Sequence, residues 1–236
     1  MYKTSMKQEI RLYFVFGKVP DSGSKFHVWR NYELQKIATH SDVISLNVID
    51  DYLNLTLKSV SMLKWASEYC SNAKYLVKMD DDIYLNMTNL FKVLDTFDKY
   101  NITSSVYGRV KEPHLVPTNG TYYNLFHTDQ SVYPLDTFPA YVHGFFYILT
   151  NDRTQDIMRR FEHPTTPLIR MEDLYITGIV RILENITLLD SGESVLEECN
   201  KKEVPARNPD ILAMHHYNVL NDACMPMRNH TNKVVH

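Results

Sequence analysis

The sequence has little glycine, little cysteine and no long apolar run, and each shortage excludes a class of protein. Only 7 of the 236 residues are glycine, and neither G-x-G-x-x-G nor G-x-x-x-x-G-K-[ST] occurs, which excludes the common dinucleotide and P-loop phosphate sites. Three cysteines are too few for a scaffold built on disulfides. No apolar run reaches the roughly 18 residues of a membrane-spanning helix. The first residues also lack the pattern of a secretory signal peptide.

Charge and composition describe an ordinary globular chain. With 25 basic and 28 acidic residues the net charge is −3, so neither a nucleic-acid-binding surface nor an acidic tail is indicated. Hydrophobic residues make up 44% of the chain, which is enough for a core and excludes wholesale disorder. We expect one domain over residues 1–236, because no repeat, low-complexity block or long linker interrupts the chain.

The sequence is rich in N-glycosylation sequons. Six N-x-[ST] sequons occur, more than the composition would produce by chance, at Asn54, Asn86, Asn101, Asn119, Asn185 and Asn229. A sequon has physical meaning only where the asparagine enters the secretory lumen and is exposed. The excess favours a lumenal protein whose targeting segment lies outside this sequence, and the alternative is an asparagine-rich polar surface.

Strand and helix patterns occur along the whole chain, and they alternate in its first half. Buried-strand patterns occur at residues 11–17, 42–48, 74–79 and 141–149, with shorter ones at 185–189 and 211–214, and helical spacing occurs at 28–39, 54–69, 86–97, 152–161 and 172–183. This order predicts an α/β fold with a largely parallel sheet covered by helices. Ligands of such sheets collect beyond the carboxyl ends of the strands. Residues 111–131 are rich in turn-forming residues and predict an excursion or hairpin that lines a site.

An acidic cluster, Asp80-Asp81-Asp82, directly follows one predicted strand. Three adjacent carboxylates repel one another, and at the end of a buried strand they are costly to desolvate. A divalent cation offsets both costs, and carboxylate oxygens suit Mg²⁺ or Mn²⁺, which commonly bind substrate phosphates as well. In an extended segment Asp80 and Asp82 would face one way and Asp81 the other. The alternative is a solvated acidic turn, and the motif alone does not choose between the two.

Two further groups are candidates for a site. His215 and His216 follow a short apolar run, where a histidine could complete a metal site, although the spacing alone favours an ordinary core or surface histidine. Glu172 and Asp173 begin a predicted helix, where free backbone N–H groups and the helix dipole hold a carboxylate. The pair is therefore either an acidic helix cap or part of a catalytic site.

Short motifs also follow one another in a recognisable order. They are residues 12–17, Glu33 with 41–44, 50–58 (D-x-Y-x-N-L-T-x-K), 63–65, 78–86 (K-x-D-D-D-x-x-x-N), 138–144 (similar to Y-P-x-Y-x-x-G) and 172–178 (similar to E-D-V-Y-x-G). In this order they resemble the β-1,3-glycosyltransferases that use UDP-sugars, the group of galactosyltransferases, N-acetylglucosaminyltransferases and fringe-like proteins. Each motif alone is weak, and the resemblance is strong because the series covers more than half of the chain.

The resemblance implies a GT-A-like fold and inverting transfer of galactose or N-acetylglucosamine from a UDP-sugar to the 3-hydroxyl of an acceptor glycan. Mn²⁺ or Mg²⁺ would assist, held by Asp82 and by a C-terminal histidine, for which His215 fits best and His216 is the alternative. Asp173 would be the general base, with Glu172 beside it. The residues implied to bind the nucleotide-sugar are Asp50, Lys58, Asp80, Asp81 and Gly144.

The chemistry of sugar transfer agrees with these roles. A divalent cation stabilises the leaving diphosphate, and a base takes the proton of the acceptor hydroxyl. Inversion requires that base on the ring face opposite the diphosphate, so a segment distant from the metal carboxylates should supply it. The resemblance further implies that Asp80 lies near the uridine ribose and that Gly144 leaves room for the sugar. Because Asn54 lies inside a family motif, we expect it to begin a packed helix rather than carry a glycan.

The sequence departs from the family at two places. An arginine-rich stretch with a Thr-Trp pair, which helps to form the nucleotide pocket, is reduced here to residues 27–30, so the N-terminal part is expected to be incomplete relative to the family. His143 stands where the family often has the cysteine that pairs with the equivalent of Cys70. Cys70 is therefore expected to be a free, buried thiol, while Cys199 and Cys224 could pair with each other.

Two other functions stay open at this point. One is a catalytically silent homologue that binds metal, nucleotide or carbohydrate only. The other is a metal-dependent phosphotransferase or phosphohydrolase built on the three aspartates, which has no use for Glu172 and Asp173. The resemblance also implies the Golgi lumen and, for the full-length protein, a type II membrane form whose membrane segment is not in this chain.

Overall fold

The computed structural model describes residues 2–3, 9–20, 34, 36–117, 128–164, 167–197 and 210–215. Its strands are β1 (Tyr2–Lys3), β2 (Glu9–Ile10), β3 (Phe14–Lys18), β4 (Val43–Ile49), β5 (Tyr75–Met79), β6 (Ile83–Leu85), β7 (Ser105–Lys111), β8 (His114–Leu115), β9 (Thr137–Phe138), β10 (Tyr141–Thr150), β11 (Thr187–Asp190), β12 (Val195–Leu196) and β13 (Ala213–His215). Its helices are α1 (Leu55–Tyr69), α2 (Met87–Lys99), α3 (Thr154–Glu162), a π-helix (Leu174–Val180) and α4 (Arg181–Leu183), with 3₁₀ turns at Tyr52–Asn54, Asn151–Arg153 and Gly192–Ser194. Every helix within these ranges is too short or too polar to cross a membrane.

The largest sheet has four strands in the order β11-β7-β10-β5. Strands β5, β7 and β11 run in one direction, and β10 lies antiparallel between β5 and β7. Smaller sheets contain the parallel pair β3 and β4 and the three strands β12, β13 and β6. The fold is α/β as predicted, but the prediction of a mostly parallel central sheet is wrong, because two of the three pairings in this sheet are antiparallel.

Strand β10 has the continuous apolar sequence that is typical of parallel strands, because both of its faces are buried. Its side chains alternate between two cores, as expected for a pleated strand. Tyr147 and Leu149 belong to the core that contains Val60 of α1 and Ile157 of α3. On the other face, Phe146 and Ile148 belong to the core formed with Leu90, Leu94 and Phe97 of α2. Both faces of β10 are therefore apolar, which produces a continuous hydrophobic run without a parallel sheet.

Most of the other predicted elements are confirmed, with ends shifted by no more than three residues. Strands β1, β2, β6, β7 and β12 were not predicted. Four of them are only two or three residues long, and β7 includes polar residues. The pairing of β8 with β9 confirms a hairpin-like excursion after β7, although residues 118–127 lie outside the described part. The predicted helix at 28–39 also lies mostly outside it.

The π-helix is tied to an irregular part of β10. The register of β10 against β7 shifts between Val142 and Tyr147, as in a β-bulge. There the backbone N–H of Val142 donates to Thr177 Oγ1 (2.9 Å), and the Thr177 hydroxyl lies 2.7 Å from the carbonyl oxygen of Asp173. Thr177 is buried, and its hydroxyl supplies the acceptor for the backbone N–H of Val142.

Replacing Thr177 should therefore destabilise the fold. Thr177→Val keeps the shape of the side chain but leaves the N–H of Val142 without an acceptor, which should cost about 1–3 kcal/mol in the free energy of unfolding. Thr177→Ser retains the hydroxyl and is the matched control, with a smaller loss. Urea denaturation followed by circular dichroism would measure both variants. A valine variant as stable as the serine variant would contradict this role for the hydroxyl.

Candidate active site

The candidate residues meet where the carboxyl end of β5 lies beside the start of β10. Phe146 of β10 pairs with Met79 of β5, and the N–H of Asp80 donates to the carbonyl of Phe145 (3.0 Å). A cleft of 2590 Å³ opens at this junction. The predicted site residues that line it are Asp50, Lys58, Asp80, Asp81, Gly144, Glu172 and Asp173.

Lys78 connects the two halves of this junction. Its ammonium group lies 2.6 Å from Asp80 Oδ1 and 3.9 Å from Glu172 Oε2, and it also donates to the carbonyl oxygen of Gly144. Burial lowers the pKa of Lys78, but the carboxylates of Glu172 and Asp80 outweigh it, so the pKa lies above its ordinary value. Lys78 therefore stays positively charged and holds the acidic residues of two distant segments together.

Glu172 is the most enclosed carboxyl group of the site, with 6% of the side chain exposed. Its Oε1 accepts a hydrogen bond from the Tyr147 hydroxyl (2.9 Å), and its Oε2 faces Lys78. Burial raises the pKa of Glu172 to about 7; the charge of Lys78 opposes this rise and that of Asp173 adds to it. Close to neutral pH this carboxyl group therefore exists in both protonation states.

Asp173 is held by two backbone N–H groups. Its Oδ1 accepts from Leu174 (2.8 Å), the first residue of the π-helix, and its Oδ2 accepts from Gly144 (3.2 Å). The expectation that a backbone N–H holds a carboxylate at this helix start is confirmed. Burial raises the pKa of Asp173, although the two hydrogen bonds act in the opposite direction. Asp173 is thus a well-oriented carboxylate with increased basicity.

Position 144 must be glycine because β10 approaches Glu172 and Asp173 closely there. A Cβ atom at this position would lie 2.8 Å from Glu172 Oε2 and 3.3 Å from the Cβ of Asp173. The glycine was expected to leave room for a sugar. In the structure it leaves room for the two carboxyl groups.

The acidic cluster after β5 is not extended. Asp81 and Asp82 form the turn between β5 and β6, so the expectation that Asp80 and Asp82 face the same way rested on the wrong backbone geometry. Asp80 and Asp81 line the cleft, whereas Asp82 is exposed and is not among the lining residues.

The backbone brings the predicted metal histidine close to this turn. Strand β13 pairs antiparallel with β6, with His215 opposite Ile83, which directly follows Asp82. The side chain of His215 and all of His216 lie outside the described part of the chain. Within the described part, no group of three or more His, Cys, Asp or Glu side chains forms a metal site.

Asp50 and Lys58 form an ion pair in the lining of the cleft. Lys58 Nζ lies 2.8 Å from Asp50 Oδ1, and Asp50 Oδ2 accepts from the N–H of Gly17 (3.2 Å). These contacts join the ends of β3 and β4 to α1. The two residues line the cleft, and the ion pair gives them a structural role as well.

Sequence reasoning assigned no role to several polar side chains of the cleft. Lys78 could have been found, because a lysine inside an apolar strand needs an acidic partner. The sequence suggested either core packing or stacking on a sugar for Tyr147, and its hydrogen bond to Glu172 was not predicted. His143 lies 3.7 Å from Glu197, and both line the cleft. Cys70 is free as predicted, but it is half-buried rather than buried. Cys199 and Cys224 lie outside the described residues.

The buried carboxyl group of Glu172 should make stability depend on pH. From pH 4.5 to about 7 the folded protein keeps a proton on Glu172 that the unfolded chain has lost, so the free energy of unfolding falls as the pH rises through this window. The shift corresponds to about 3 kcal/mol. Glu172→Gln cannot ionise, so its stability relative to the wild type should increase by that amount across the window.

Denaturant titrations at several pH values would measure this difference. Glu162→Gln, at an exposed position, is the control and should follow the wild type. Parallel curves for the wild type and Glu172→Gln would contradict a raised pKa.

Curated relatives with similar sequences are sugar transferases. UDP-GalNAc:beta-1,3-N-acetylgalactosaminyltransferase 1 of Rattus norvegicus is 28% identical over 185 residues, which cover 77% of this chain and 53% of the relative. Beta-1,3-galactosyltransferase 1 of Mus musculus is 29% identical over 193 residues, covering 78% of this chain and 53% of the relative. Lactosylceramide 1,3-N-acetyl-beta-D-glucosaminyltransferase of Homo sapiens is 28% identical over 153 residues, covering 64% and 39%.

The chain spans about half the length of the first two of these relatives. A family model described as Galactosyltransferase matches residues 1–190, which is most of the chain and includes the whole junction of β5, β10 and the π-helix. The chain belongs to the galactosyltransferase family.

Proposed function

We propose that this chain is the catalytic domain of an inverting hexosyltransferase of the GT-A type. It would move galactose, N-acetylglucosamine or N-acetylgalactosamine from a UDP-sugar to the 3-hydroxyl of an acceptor glycan. The observation that carries the proposal is the junction at which Lys78 joins Asp80, at the end of β5, to Glu172, at the start of the π-helix. Family membership and the names of the three relatives support the donor class and the linkage.

Asp173 is the proposed general base. Its two backbone hydrogen bonds fix the carboxylate, and its raised pKa strengthens it as a proton acceptor for the acceptor hydroxyl. Glu172 is too enclosed for that step, because Tyr147 and Lys78 occupy its two oxygens. We assign Glu172 to positioning: its charge and that of Asp80 retain Lys78, whose hydrogen bond to Gly144 holds the strand that in turn binds Asp173.

We propose that a divalent cation binds at the turn between β5 and β6. Carboxylate oxygens are suitable ligands for Mn²⁺ or Mg²⁺, and the β6–β13 register supports a site that combines Asp82 with His215. When bound, the cation would neutralise the charge that develops on the leaving diphosphate. Asp80 and Asp81 line the cleft beside this turn, which supports contacts from them to the nucleotide-sugar.

The proposed location is the Golgi lumen, with the full-length protein anchored as a type II membrane protein. Support comes from the excess of sequons and from the UDP-sugar and glycan chemistry in the names of the relatives. Asp50 and Lys58 are proposed to border the nucleotide, since both line the same cleft as the acidic residues.

Removal of the proposed base should abolish turnover while sparing the donor site. Asp173→Asn keeps a side chain of the same shape but cannot accept the proton, so kcat should fall by about 10²- to 10⁴-fold with little change in UDP affinity. UDP release with UDP-galactose, UDP-N-acetylglucosamine and UDP-N-acetylgalactosamine, each with a panel of acceptors, would measure turnover. Calorimetry with UDP and Mn²⁺ would measure binding.

Asp136→Asn is the matched control for this variant. Asp136 is exposed and does not line the cleft, so its replacement should leave kcat unchanged. Wild-type activity in Asp173→Asn would overturn the assignment of the base. Binding of UDP and Mn²⁺ by the wild type without turnover of any donor would favour a silent binding protein instead.

The metal assignment has its own test. Asp82→Asn and His215→Ala should each weaken Mn²⁺ binding by about tenfold or more, as measured by calorimetry in the presence of UDP. Asp136→Asn should bind Mn²⁺ like the wild type. If all variants kept wild-type affinity, the metal would not depend on Asp82 and His215.

A further inference from the structure

We propose that Asn101 and Asn185 carry N-linked glycans at the end of the central sheet away from the candidate active site, and that the fold excludes glycans from Asn54 and Asn86. All four asparagines lie in N-x-T sequons, so the local sequence does not distinguish them. The inference rests on the lumenal location in the proposed function and is independent of its catalytic part.

Asn101 and Asn185 occupy the same kind of turn. Asn101 (φ 50°) follows α2, and Asn185 (φ 52°) follows α4, both in the left-handed conformation that commonly ends helices. In each turn the N–H of the next residue, Ile102 or Ile186, bonds to a carbonyl of the preceding helix at 2.9 Å. The main chain is thus fixed by its own hydrogen bonds. Both asparagine side chains are exposed, and neither forms a hydrogen bond within the described part of the chain.

The two turns are neighbours in space. Asn101 precedes β7 and Asn185 precedes β11, and these strands are parallel and adjacent. The N–H of Thr187 donates to the carbonyl of Ser104 (2.7 Å), which joins one turn to the other. Two glycans would therefore cover one continuous surface at the amino ends of β7 and β11.

This surface lies far from the junction at which Lys78 joins Asp80 to Glu172. The seven residues of β7 extend over roughly 20 Å, from the turn after Asn101 to Lys111, which lines the cleft. Among the described residues that line the cleft, none belongs to either sequon. Glycans here would lie away from Glu172 and Asp173, at the end where the cleft reaches Asp98, whose carbonyl oxygen accepts from the N–H of Asn101 (3.3 Å).

Asn54 differs because the fold uses both polar groups of its sequon. Its Nδ2, the atom that would receive the sugar, donates to the carbonyl of Ile49 (3.2 Å). The hydroxyl of Thr56 is buried and lies 2.7 Å from the carbonyl of Ile169. A glycan on Asn54 would interfere with the start of α1, so a folded chain should not carry it.

Asn86 is likewise part of the packing. It caps α2, with its Oδ1 accepting from the N–H of Asn89 (3.2 Å), and its backbone N–H donates to Leu212 (2.8 Å). The side chain is half-buried between β6 and α2. An oligosaccharide on this half-buried side chain would disturb the cap of α2.

The modification needs an accessible amide and an accessible hydroxyl. The amide nitrogen of the asparagine forms a bond to C1 of the first sugar of a lipid-diphosphate-linked oligosaccharide. The bond from C1 to the diphosphate oxygen breaks, its electron pair leaves with the lipid diphosphate, and the amide gives up one proton. At both proposed sites the sequon threonine, Thr103 or Thr187, is exposed as well.

The test is to express the full chain behind a secretion signal in glycosylating cells and to map the glycans of the secreted protein. Enzymatic release of N-glycans in ¹⁸O water converts each modified asparagine to a labelled aspartate, which peptide mass spectrometry locates. We expect label at positions 101 and 185 in most molecules and none at 54 and 86.

Hydroxyl variants test each site without changing the left-handed asparagine. Thr103→Val should remove the glycan at 101 only, and Thr187→Val the glycan at 185 only, whereas Thr103→Ser and Thr187→Ser should retain them. Each loss appears as one step in electrophoretic mobility.

The outcomes separate this inference from the proposed function. Absence of label at 101 and 185, or label at 54 or 86 in folded protein, would overturn the inference even if the protein transfers sugar. Glycans at 101 and 185 on a chain that turns over no donor would support the inference and overturn the proposed catalysis.

Discussion

The architecture of the site depends on one largely enclosed cation, the ammonium group of Lys78. Lys78 lies within reach of Asp80 and Glu172 and hydrogen-bonds to Gly144, so one ammonium group balances carboxylates that are about a hundred residues apart in sequence. Without that charge, Glu172 and Asp173 would face each other in a poorly solvated place, and at least one would be neutral. The end of β5, the bulge of β10 and the start of the π-helix lie together because each of them supplies a partner of Lys78.

The core and the site share the same strand. Beyond its bulge, β10 has both faces buried, which fixes its position between β5 and β7. The irregular part of the strand contains His143 and Gly144, and next to it Thr177 of the π-helix accepts a hydrogen bond from the N–H of Val142. A rigid strand thus presents a locally irregular backbone to the acidic pair, as is common where bulges lie beside functional sites.

The sequence predicted the elements of this fold better than their pairing. Apolar periodicity located most strands and helices, but it did not show that β10 runs antiparallel, because burial on two faces produces the same pattern in either direction. The positions of Glu172 and Asp173 at a helix start were predictable from helix chemistry. The turn at Asp81 and Asp82 was not, because the three-residue strand β6 after it is too short for a periodic signal. The role of Lys78 depends on a contact with Glu172 that only the tertiary structure provides.

The π-helix has a consequence for how this segment can vary. Its wide turns begin directly after Asp173 and include Thr177. The positions of these two side chains relative to β10 therefore depend on the number of residues between them. Deleting one residue would move the segment towards α-helical geometry and rotate the side chains on one side of the deletion by about 100° relative to those on the other. Asp173 and Thr177 could then no longer reach β10 together. Substitutions in this stretch alter packing, whereas a change of length would separate the carboxylate from its strand, so the residue count here is as much a part of the site as its acidic groups.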